Sequence, residues 1–241
     1  GKQHIISSRV EHPSILQLLD YLRGLGFSIS LIDVDSEGRI DISRLAATIN
    51  AQTALVSLMW ANNETGVIYP VAEVAELAKA HGVLFHTDAV QAVGKVDVDL
   101  KQTQIDLLSF CAHKMHGPSG VGALYVKKGV TITPLLHGHQ ERKRRGGTEN
   151  LSGIVGFGAA AEALAGSWRE HAARMAALRA RFEAKLLQTL PMARIAAAAA
   201  PRLCNTSNFR VDASIDSEFI LDRLDQAGVQ ASSGSACTAA G

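Results

Sequence analysis

Short apolar runs alternate with segments of helical apolar spacing along the first half of the chain. The runs have strand length and predict the strands HIISSRV, SISLIDV, TALVSLMW, GVLFHTD, IDLLSFC and VGALYV. Between them, apolar residues recur at helical spacing over residues 14–23, 43–49 and 71–80, which predicts helices. Strands that alternate with helices are joined by crossover connections, so we expect an α/β fold with a mostly parallel central sheet and helices on both of its faces.

The apolar spacing of the second half is that of long helices. Alanine, leucine, arginine and glutamate recur at helical spacing from about residue 150 until Pro191, and proline cannot continue a helix. NTSNFRV then predicts a strand, SEFILDRLDQAG a helix that ends at Gly228, and VQASSGSACTAAG a strand followed by a loop of small residues. We therefore expect a large domain over residues 1–155, a long connecting helix over residues 156–190, and part of a small α+β domain over residues 191–241.

The composition argues against several kinds of partner. Lysine and arginine number 24 against 23 acidic residues, and the net charge of +1 favours neither nucleic acid nor a membrane surface. The longest apolar runs are too short to span a bilayer. The three cysteines, Cys111, Cys204 and Cys237, lie far apart and form no CxxC pair, which is typical of proteins from a reducing compartment. We therefore expect a cytoplasmic protein.

Side chains suited to catalysis follow four of the predicted strands. In open α/β sheets, ligands bind beyond the carboxyl ends of the strands, so the residues that follow each strand indicate a site. These positions hold an imidazole, amides, a carboxylate and an amine: His12, Asn62 and Asn63, Asp88 with Gln91 one helical turn later, and His113 with Lys114. The sequence therefore predicts a site at one edge of the sheet.

This set of side chains suits a carbonyl cofactor. A lysine amine shielded from water loses its proton more easily and becomes a nucleophile for carbonyl groups, and we expect the amine of Lys114 to lie out of water. Pyridoxal 5'-phosphate (PLP) requires such a lysine, a carboxylate beside its ring nitrogen and an aromatic side chain on which its ring stacks. Lys114, Asp88 and His12 match these requirements. Donors for the cofactor phosphate are available at His113, Ser109, Cys111 and Thr148.

A cysteine near the end of the chain has the setting of a reactive thiol. Cys237 lies in SSGSACTAAG, a run of small residues that predicts a loop and places no bulk beside the sulfur. A thiol on a mobile loop can reach a substrate atom and then withdraw with its product. The alternative interpretation is a small buried apolar residue, which is the usual role of a free cysteine.

The stretch FCAHKMHGPSG at residues 110–120 has two other interpretations. Cys111, His113 and His116 are metal-binding residue types, but His116 follows the end of the strand and no fourth ligand is indicated, so we predict no metal site. GPSGVG precedes a strand, whereas phosphate loops of nucleotide-binding folds precede a helix, so the sequence disfavours a nucleotide site here.

The basic run at residues 142–145 is a separate motif. It lacks the aromatic and further basic residues that nucleic-acid binding needs, so we expect it to face phosphate or solvent.

Several long motifs resemble those of one enzyme family. They are EHPSIL, MWANNETG, HTDAVQAVGKV, HKMHGPSGVGALYV, GHQERKRRGGTEN and SSGSACT. In these motifs the chain resembles the cysteine desulfurases, most closely the nitrogen-fixation (NifS) type within the class V aminotransferases. The resemblance covers nearly the whole sequence. It implies a homodimeric PLP-dependent transferase of fold type I, in which the domain over residues 1–155 binds PLP.

The resemblance also implies a reaction. A cysteine desulfurase takes sulfur from L-cysteine, leaves L-alanine and holds the sulfur as a cysteine persulfide. An iron–sulfur scaffold protein then accepts this sulfur, and in the NifS type it serves nitrogenase assembly. A selenocysteine lyase or another class V PLP-dependent enzyme is the close alternative. A non-catalytic scaffold for sulfur assembly is a third interpretation.

Residue roles follow from the same resemblance. Lys114 is expected to form the Schiff base with PLP, Asp88 to hold the ring nitrogen, His12 to stack on the ring and handle protons, and Cys237 to carry the persulfide. The other expected contacts are Gln91 at the ring hydroxyl, Asn63 near that oxygen and the substrate carboxylate, and His113 and Thr148 at the phosphate, with Ser109 and Cys111 as further phosphate candidates. Thr148 is expected to reach the cofactor of the second subunit.

The sequence also departs from the family pattern. The family's N-terminal phosphate loop and its C-terminal arginine for the substrate carboxylate are not in the sequence, so we expect this chain to be part of a longer enzyme. Cys111 stands where many relatives have serine, and Cys204 stands where proline is usual. HGHQE is one glycine shorter than the family's run, which predicts a shift of the loop before Thr148.

Overall fold

The computed structural model describes residues 1–211 and 216–234 and is built around a six-stranded sheet. Its strands are β1 (His4–Ser8), β2 (Ser28–Ile32), β3 (Thr53–Ser57), β4 (Leu84–Asp88), β5 (Leu107–Cys111) and β6 (Gly122–Val126). They lie in the order β2-β1-β3-β4-β5-β6, in which the first five are parallel and β6 is antiparallel to β5. The mostly parallel sheet predicted from the sequence is confirmed.

Helices lie between the first four strands, where the sequence predicts them. They are α1 (Pro13–Gly24), α2 (Ile42–Thr48) and α3 (Val71–Ala80). Proline fits the first turn of α1, because the N–H that it lacks would have no helical partner there. Asp41 caps α2 by accepting the N–H of Arg44 at 3.0 Å. Local sequence signals therefore account for where α1 and α2 begin.

The central strands bury apolar side chains in one core. Ile6 of β1, Val56 of β3 and Phe85 of β4 have no exposed surface, and Leu108 of β5 is 2% exposed. These side chains form one cluster with the buried residues of α3. β1 is buried at all five positions and has no alternating pattern, whereas β4 buries only Phe85 and Thr87.

A second, smaller cluster supports the segment that follows β5. Ala112 and Met115 pack there against Phe157, which belongs to α5 (Leu151–Ala165). The ring of Phe157 meets the ring of Phe110 edge to face, with 5.3 Å between the centroids. This packing fixes α5 against the carboxyl end of β5.

The single helix predicted over residues 156–190 is wrong, because the structure has two helices there. α5 ends at Ala165, and α6 (Trp168–Thr189) follows after Gly166 and Ser167. Glycine loses more backbone freedom in a helix than other residues do. The hydroxyl of Ser167 also donates to the carbonyl of Ala163 at 3.1 Å, a local bond that competes with helix continuation.

The C-terminal region is less regular than predicted. Its elements are β7 (Arg194–Ile195), β8 (Phe209–Arg210) and α7 (Ser217–Gln226). The remaining helix, α4 (Gln140–Lys143), is a single turn in the basic loop before α5. α7 forms as predicted, but the strand predicted over residues 205–211 is reduced to β8, which pairs with β7 alone. The strand predicted after Gly228 does not form in residues 229–234. No helix within the described ranges is both long and apolar enough to cross a bilayer.

Candidate active site

A large cleft opens at the carboxyl-end edge of the parallel strands. Its volume is about 1440 Å³. Most of the predicted site residues line it from the sheet side: His12, Asn63, Asp88, Gln91, Cys111, His113 and Lys114. The cleft lies where ligands bind in open α/β sheets. The fold therefore brings together side chains that lie far apart in the sequence.

The opposite wall of the cleft comes from the C-terminal region. It consists of Phe182 and Leu186 of α6, residues 205–211, Leu221 and Leu224 of α7, and residues 229–234. Cys237, the predicted persulfide carrier, lies outside the described residues. The last described segment before it, residues 232–234, lines the cleft.

Asp88 is held at the cleft by the end of β4. Its Oδ1 accepts the N–H of Val90 at 2.9 Å, and its carbonyl accepts the N–H of Trp60 at 2.8 Å. Burial raises the pKa of the Asp88 carboxyl, whereas the N–H of Val90 and the charge of His12 lower it. A positive group in the cleft therefore favours the charged form of this carboxyl.

His12 is anchored at the start of α1. Its Nδ1 accepts the N–H of Ser14 at 3.2 Å and forms a hydrogen bond with the Ser14 hydroxyl at 2.8 Å. The imidazole thus caps the helix while it lines the cleft in a half-buried position. Pro13 restricts the backbone between the two residues. The ring therefore has a defined orientation at the edge of the sheet.

Lys114 lies in a 3-10 turn, His113–Met115, that follows β5. Met115 is 5% exposed and anchors the turn, whereas Lys114 is exposed and lines the cleft. The expectation that its amine lies out of water is therefore wrong for this structure. The turn directs Lys114 into a wide cleft and not into the packed core. Asp88 lines the same cleft.

Gly117 allows the chain after Lys114 to pack closely. A β-carbon at Gly117 would lie 2.9 Å from the β-carbon of Ala112 and 3.2 Å from that of Ala160 in α5. Its N–H donates to the carbonyl of Ala112 at 2.9 Å. The first glycine of GPSG is thus explained by the close approach of this turn to α5.

Two predicted phosphate contacts are not brought to the cleft. The hydroxyl of Ser109 forms a hydrogen bond with Nε2 of His86 at 2.8 Å, and Thr148 is exposed and does not line the cleft. Cys111 and His113 do line it, with Sγ and Nε2 3.8 Å apart. In the part of the chain that the structure describes, no group of three or more His, Cys, Asp and Glu side chains is arranged to hold a metal ion.

His86 is a polar residue near the site that sequence reasoning missed. Its Nδ1 and Nε2 form hydrogen bonds of 2.8 Å with the hydroxyls of Ser57 and Ser109, so it links β3, β4 and β5. Burial lowers the pKa of His86 to about 4, and the ring is therefore neutral at neutral pH. A histidine within the predicted strand, two positions before Asp88 and therefore on the same face of the sheet, is the signal that could have identified it.

Lys95 is a second such residue. Its Nζ donates to the backbone carbonyl of Gln91 at 3.0 Å and to the side-chain Oε1 of Gln91 at 3.4 Å. Burial lowers the pKa of Lys95, and the nearby positive charge of Lys114 lowers it further. The spacing of four positions from Gln91 is the only sequence signal for this contact.

Glu11 is a third residue near the site that sequence reasoning missed. It directly precedes His12 and is buried.

Comparison with known proteins identifies the family. Residues 1–240 match the family model described as aminotransferase class-V. A cysteine desulfurase named NifS from Azotobacter vinelandii is 46% identical over 98% of this chain, and a cysteine desulfurase from Klebsiella pneumoniae is 49% identical over 98% of it. Each alignment covers 59% of the relative, so the chain spans less than two thirds of the length of these proteins.

Solved structures share the fold. A NifS-like protein superposes with a TM-score of 0.90 and 38% identity, covering 95% of this chain and 63% of that one. A NifS-like protein from Rickettsia africae gives a TM-score of 0.88 and 31% identity, covering 98% and 65%. The predicted fold class, enzyme family and family cofactor are confirmed, since these are PLP-dependent enzymes of fold type I. The chain belongs to the class V aminotransferase family.

Proposed function

We propose that this protein is a PLP-dependent cysteine desulfurase. The observation that carries the proposal is that Lys114, Asp88 and His12 line one cleft at the carboxyl-end edge of the sheet. An amine, a carboxylate and an imidazole match what PLP needs: a covalent anchor, a partner for the ring nitrogen and a stacking surface. The relatives named cysteine desulfurase support the choice of reaction.

Each of these side chains has its own task in the proposed reaction. PLP, when bound, supplies an electron sink for bonds that break at the substrate. Lys114 anchors the cofactor and moves protons at the substrate α-carbon, and its exposed place in the turn gives it room to move. Asp88 holds a proton on the ring nitrogen, because a positively charged ring favours the ionised form of its partly buried carboxyl. His12 presents an imidazole whose orientation Ser14 fixes.

The other polar side chains complete the proposed site. Asn63 and Gln91 are assigned to the ring hydroxyl, with Asn63 also near the substrate carboxylate. Lys95 donates a hydrogen bond to the side-chain oxygen of Gln91, which orients the Gln91 NH₂ group as a donor for the ring hydroxyl. The proposed phosphate contacts are His113 and Cys111 in the cleft and Thr148, which we assign to the cofactor of the second subunit in a homodimer. Ser109 instead supports His86.

Cys237 is the proposed nucleophile. Its thiolate bonds to the sulfur of L-cysteine while the carbon–sulfur bond of the substrate breaks, and after protonation the substrate leaves as L-alanine. The sulfur stays on Cys237 as a persulfide. Residues 232–234 line the cleft, which supports a delivery of the thiol from this side.

We further propose that an iron–sulfur scaffold protein accepts the persulfide sulfur in the cytoplasm. The likeness to a relative named NifS supports a link to nitrogenase assembly. The near balance of charge, 24 basic and 23 acidic residues, favours a protein acceptor over nucleic acid or a membrane surface.

Reductive trapping tests the cofactor site. Borohydride treatment of the purified protein after incubation with PLP should fix a pyridoxyl group on Lys114, which peptide mass spectrometry detects. Lys114→Ala should lose the adduct and the cofactor absorption band. Lys79→Ala, which changes an exposed lysine on α3, should keep both. An adduct on a different lysine contradicts the assignment, and the absence of any adduct supports a non-catalytic scaffold.

Product analysis tests the reaction. The wild-type protein should convert L-cysteine to L-alanine and, with a thiol reductant, release sulfide. Cys237→Ala should bind PLP with the wild-type absorption spectrum and release no sulfide. Normal turnover of L-cysteine by this variant contradicts the role of the thiol. Turnover of selenocysteine alone identifies a selenocysteine lyase, and amino transfer without sulfide release identifies another class V enzyme.

A further inference from the structure

Glu11 joins two of the strand ends that form the cleft. Its Oε1 accepts the hydroxyl of Ser8 at 2.6 Å and the backbone N–H of Met59 at 3.0 Å. Ser8 ends β1, and Met59 follows β3. The next residue, Trp60, donates its N–H to the carbonyl of Asp88 at 2.8 Å. One carboxyl oxygen thus connects the end of β1 to the backbone that holds Asp88.

The other carboxyl oxygen of Glu11 is in an unusual position. The residue is 4% exposed, and Oε2 is buried without a hydrogen-bond partner in the described structure. A buried carboxylate oxygen with no donor costs several kcal/mol, whereas an unpaired hydroxyl costs about 1–3 kcal/mol. The surroundings of Oε2 therefore favour the protonated acid.

The charges around Glu11 point the same way. Burial raises the pKa of Glu11 to about 7, and the negative charge of Asp88 adds to the increase, while the hydrogen bonds from Ser8 and Met59 oppose it. Tyr69 is another titratable group that interacts with this carboxyl, and burial raises its own pKa. His12 is the adjacent residue in the chain.

We propose that Glu11 is a positioning residue that works as a neutral carboxylic acid. It ties the turn between β1 and His12 to the backbone around Asp88 and leaves the negative charge on Asp88. The inference rests on the proposed function, because it assigns the charge of Asp88 to the cofactor ring. A second carboxylate beside Asp88 would raise the pKa of Asp88 further and weaken its hold on a ring proton. Neutrality at Glu11 avoids this competition and keeps the connection to Met59.

Stability as a function of pH tests the protonation state without any cofactor. The raised pKa of Glu11 means that the folded protein keeps a proton which the unfolded chain loses above its ordinary pKa of 4.5. Stability from this group is therefore complete at low pH and falls as the pH rises through 7. Glu11→Gln removes this loss. The Tm of the variant minus the Tm of the wild type should therefore be larger at pH 8 than at pH 5 by roughly 5 °C.

A matched variant controls for the substitution itself. Glu76→Gln changes an exposed glutamate on α3, and its Tm relative to wild type should stay constant from pH 5 to pH 8. A relative Tm of Glu11→Gln that is equally constant would overturn the proposal, because the carboxyl would then be ionised in the folded protein across this range. This measurement keeps its meaning even if the protein does not bind PLP.

Cofactor affinity tests the positioning role. Glu11→Gln keeps an oxygen for Ser8 and Met59 and resembles the protonated acid, so its Kd for PLP at pH 6 should stay within about threefold of wild type. Glu11→Ala loses the connection and should bind PLP about tenfold more weakly. Equal affinity of Glu11→Ala and wild type would overturn the positioning role. A wild-type protein that does not bind PLP would instead contradict the proposed function, and the two failures are thus distinguishable.

Discussion

The two walls of the cleft are built in different ways. The sheet wall stands on a packed core, in which Phe85 of β4 has no exposed surface and Leu108 of β5 is 2% exposed. The opposite wall stands on α6 and α7, and neither helix has a buried residue in the described structure. Phe182 of α6 is 48% exposed and Phe219 of α7 is 61% exposed.

This difference separates rigid positioning from adaptable enclosure. Side chains on a well-packed sheet edge have fixed relative positions, which the proposed contacts of Asp88 and His12 with one cofactor ring require. A wall with few buried contacts opens locally at a lower free energy than the core does. The C-terminal wall therefore suits local opening, and the sheet wall suits fixed positioning of side chains.

The largest test of this comparison removes one aromatic ring from each wall. Phe85→Ala opens a cavity in the core and should lower the free energy of unfolding by about 3–5 kcal/mol. Phe182→Ala removes a half-exposed ring whose main aromatic contact is Phe209, at 6.1 Å between centroids, and should cost less than about 1 kcal/mol. Urea unfolding curves of both variants measure the difference. Equal losses would mean that the two walls are equally well packed.

A second test concerns the best-buried ion pair of the C-terminal wall. Arg202 donates to both carboxylate oxygens of Glu183 at 2.8 Å, and the two side chains are 7% and 13% exposed. The backbone of Arg202 forms a β-bridge with Val67, so the pair fastens α6 to the sheet side. Glu183→Gln leaves the guanidinium buried without a counter-charge and should cost roughly 3 kcal/mol.

The matched control removes both charges. Glu183→Gln combined with Arg202→Met leaves no unpaired buried charge and should recover part of the loss, because the cost of an orphaned ion exceeds the net value of the pair. A double-mutant cycle on urea unfolding measures the coupling free energy. Simple additivity of the two single losses would show that the pair does not hold the wall together.

The sequence predicts the sheet wall well, because its signals are local. Runs such as TALVSLMW carry the strand pattern within a few residues, and the residues after each run lie at the carboxyl-end edge by the geometry of parallel strands. His12, Asp88 and Lys114 follow from that rule. The strand-end rule places the residues but not the local backbone, and the 3-10 turn His113–Met115 that leaves Lys114 exposed carries no such signal.

The features that sequence reasoning missed depend on contacts between distant parts of the chain. The bond between Glu11 and Met59 joins residues 48 positions apart. β7 and β8 contain two residues each, too few for a periodic pattern. Only the break between α5 and α6 had a local signal, in the Gly166–Ser167 pair, but the helical spacing on both sides outweighed it. Tertiary contacts decide such features, and a single sequence does not display them.

The smallest expected effect concerns a second ion pair between the walls, which is exposed. Arg169 near the start of α6 lies 3.0 Å from Asp97 in the loop after β4, and the side chains are 68% and 73% exposed. Solvent screening makes such a pair weak, so Asp97→Asn should change the free energy of unfolding by less than about 0.5 kcal/mol and by still less in high salt. Arg23→Gln, which breaks an exposed ion pair within α1, is the control and should behave alike. A loss for Asp97→Asn near that of Glu183→Gln, with no matching loss for the control, would mean that α6 is held to the sheet at both of its ends and that the C-terminal wall is more rigid than its exposure indicates.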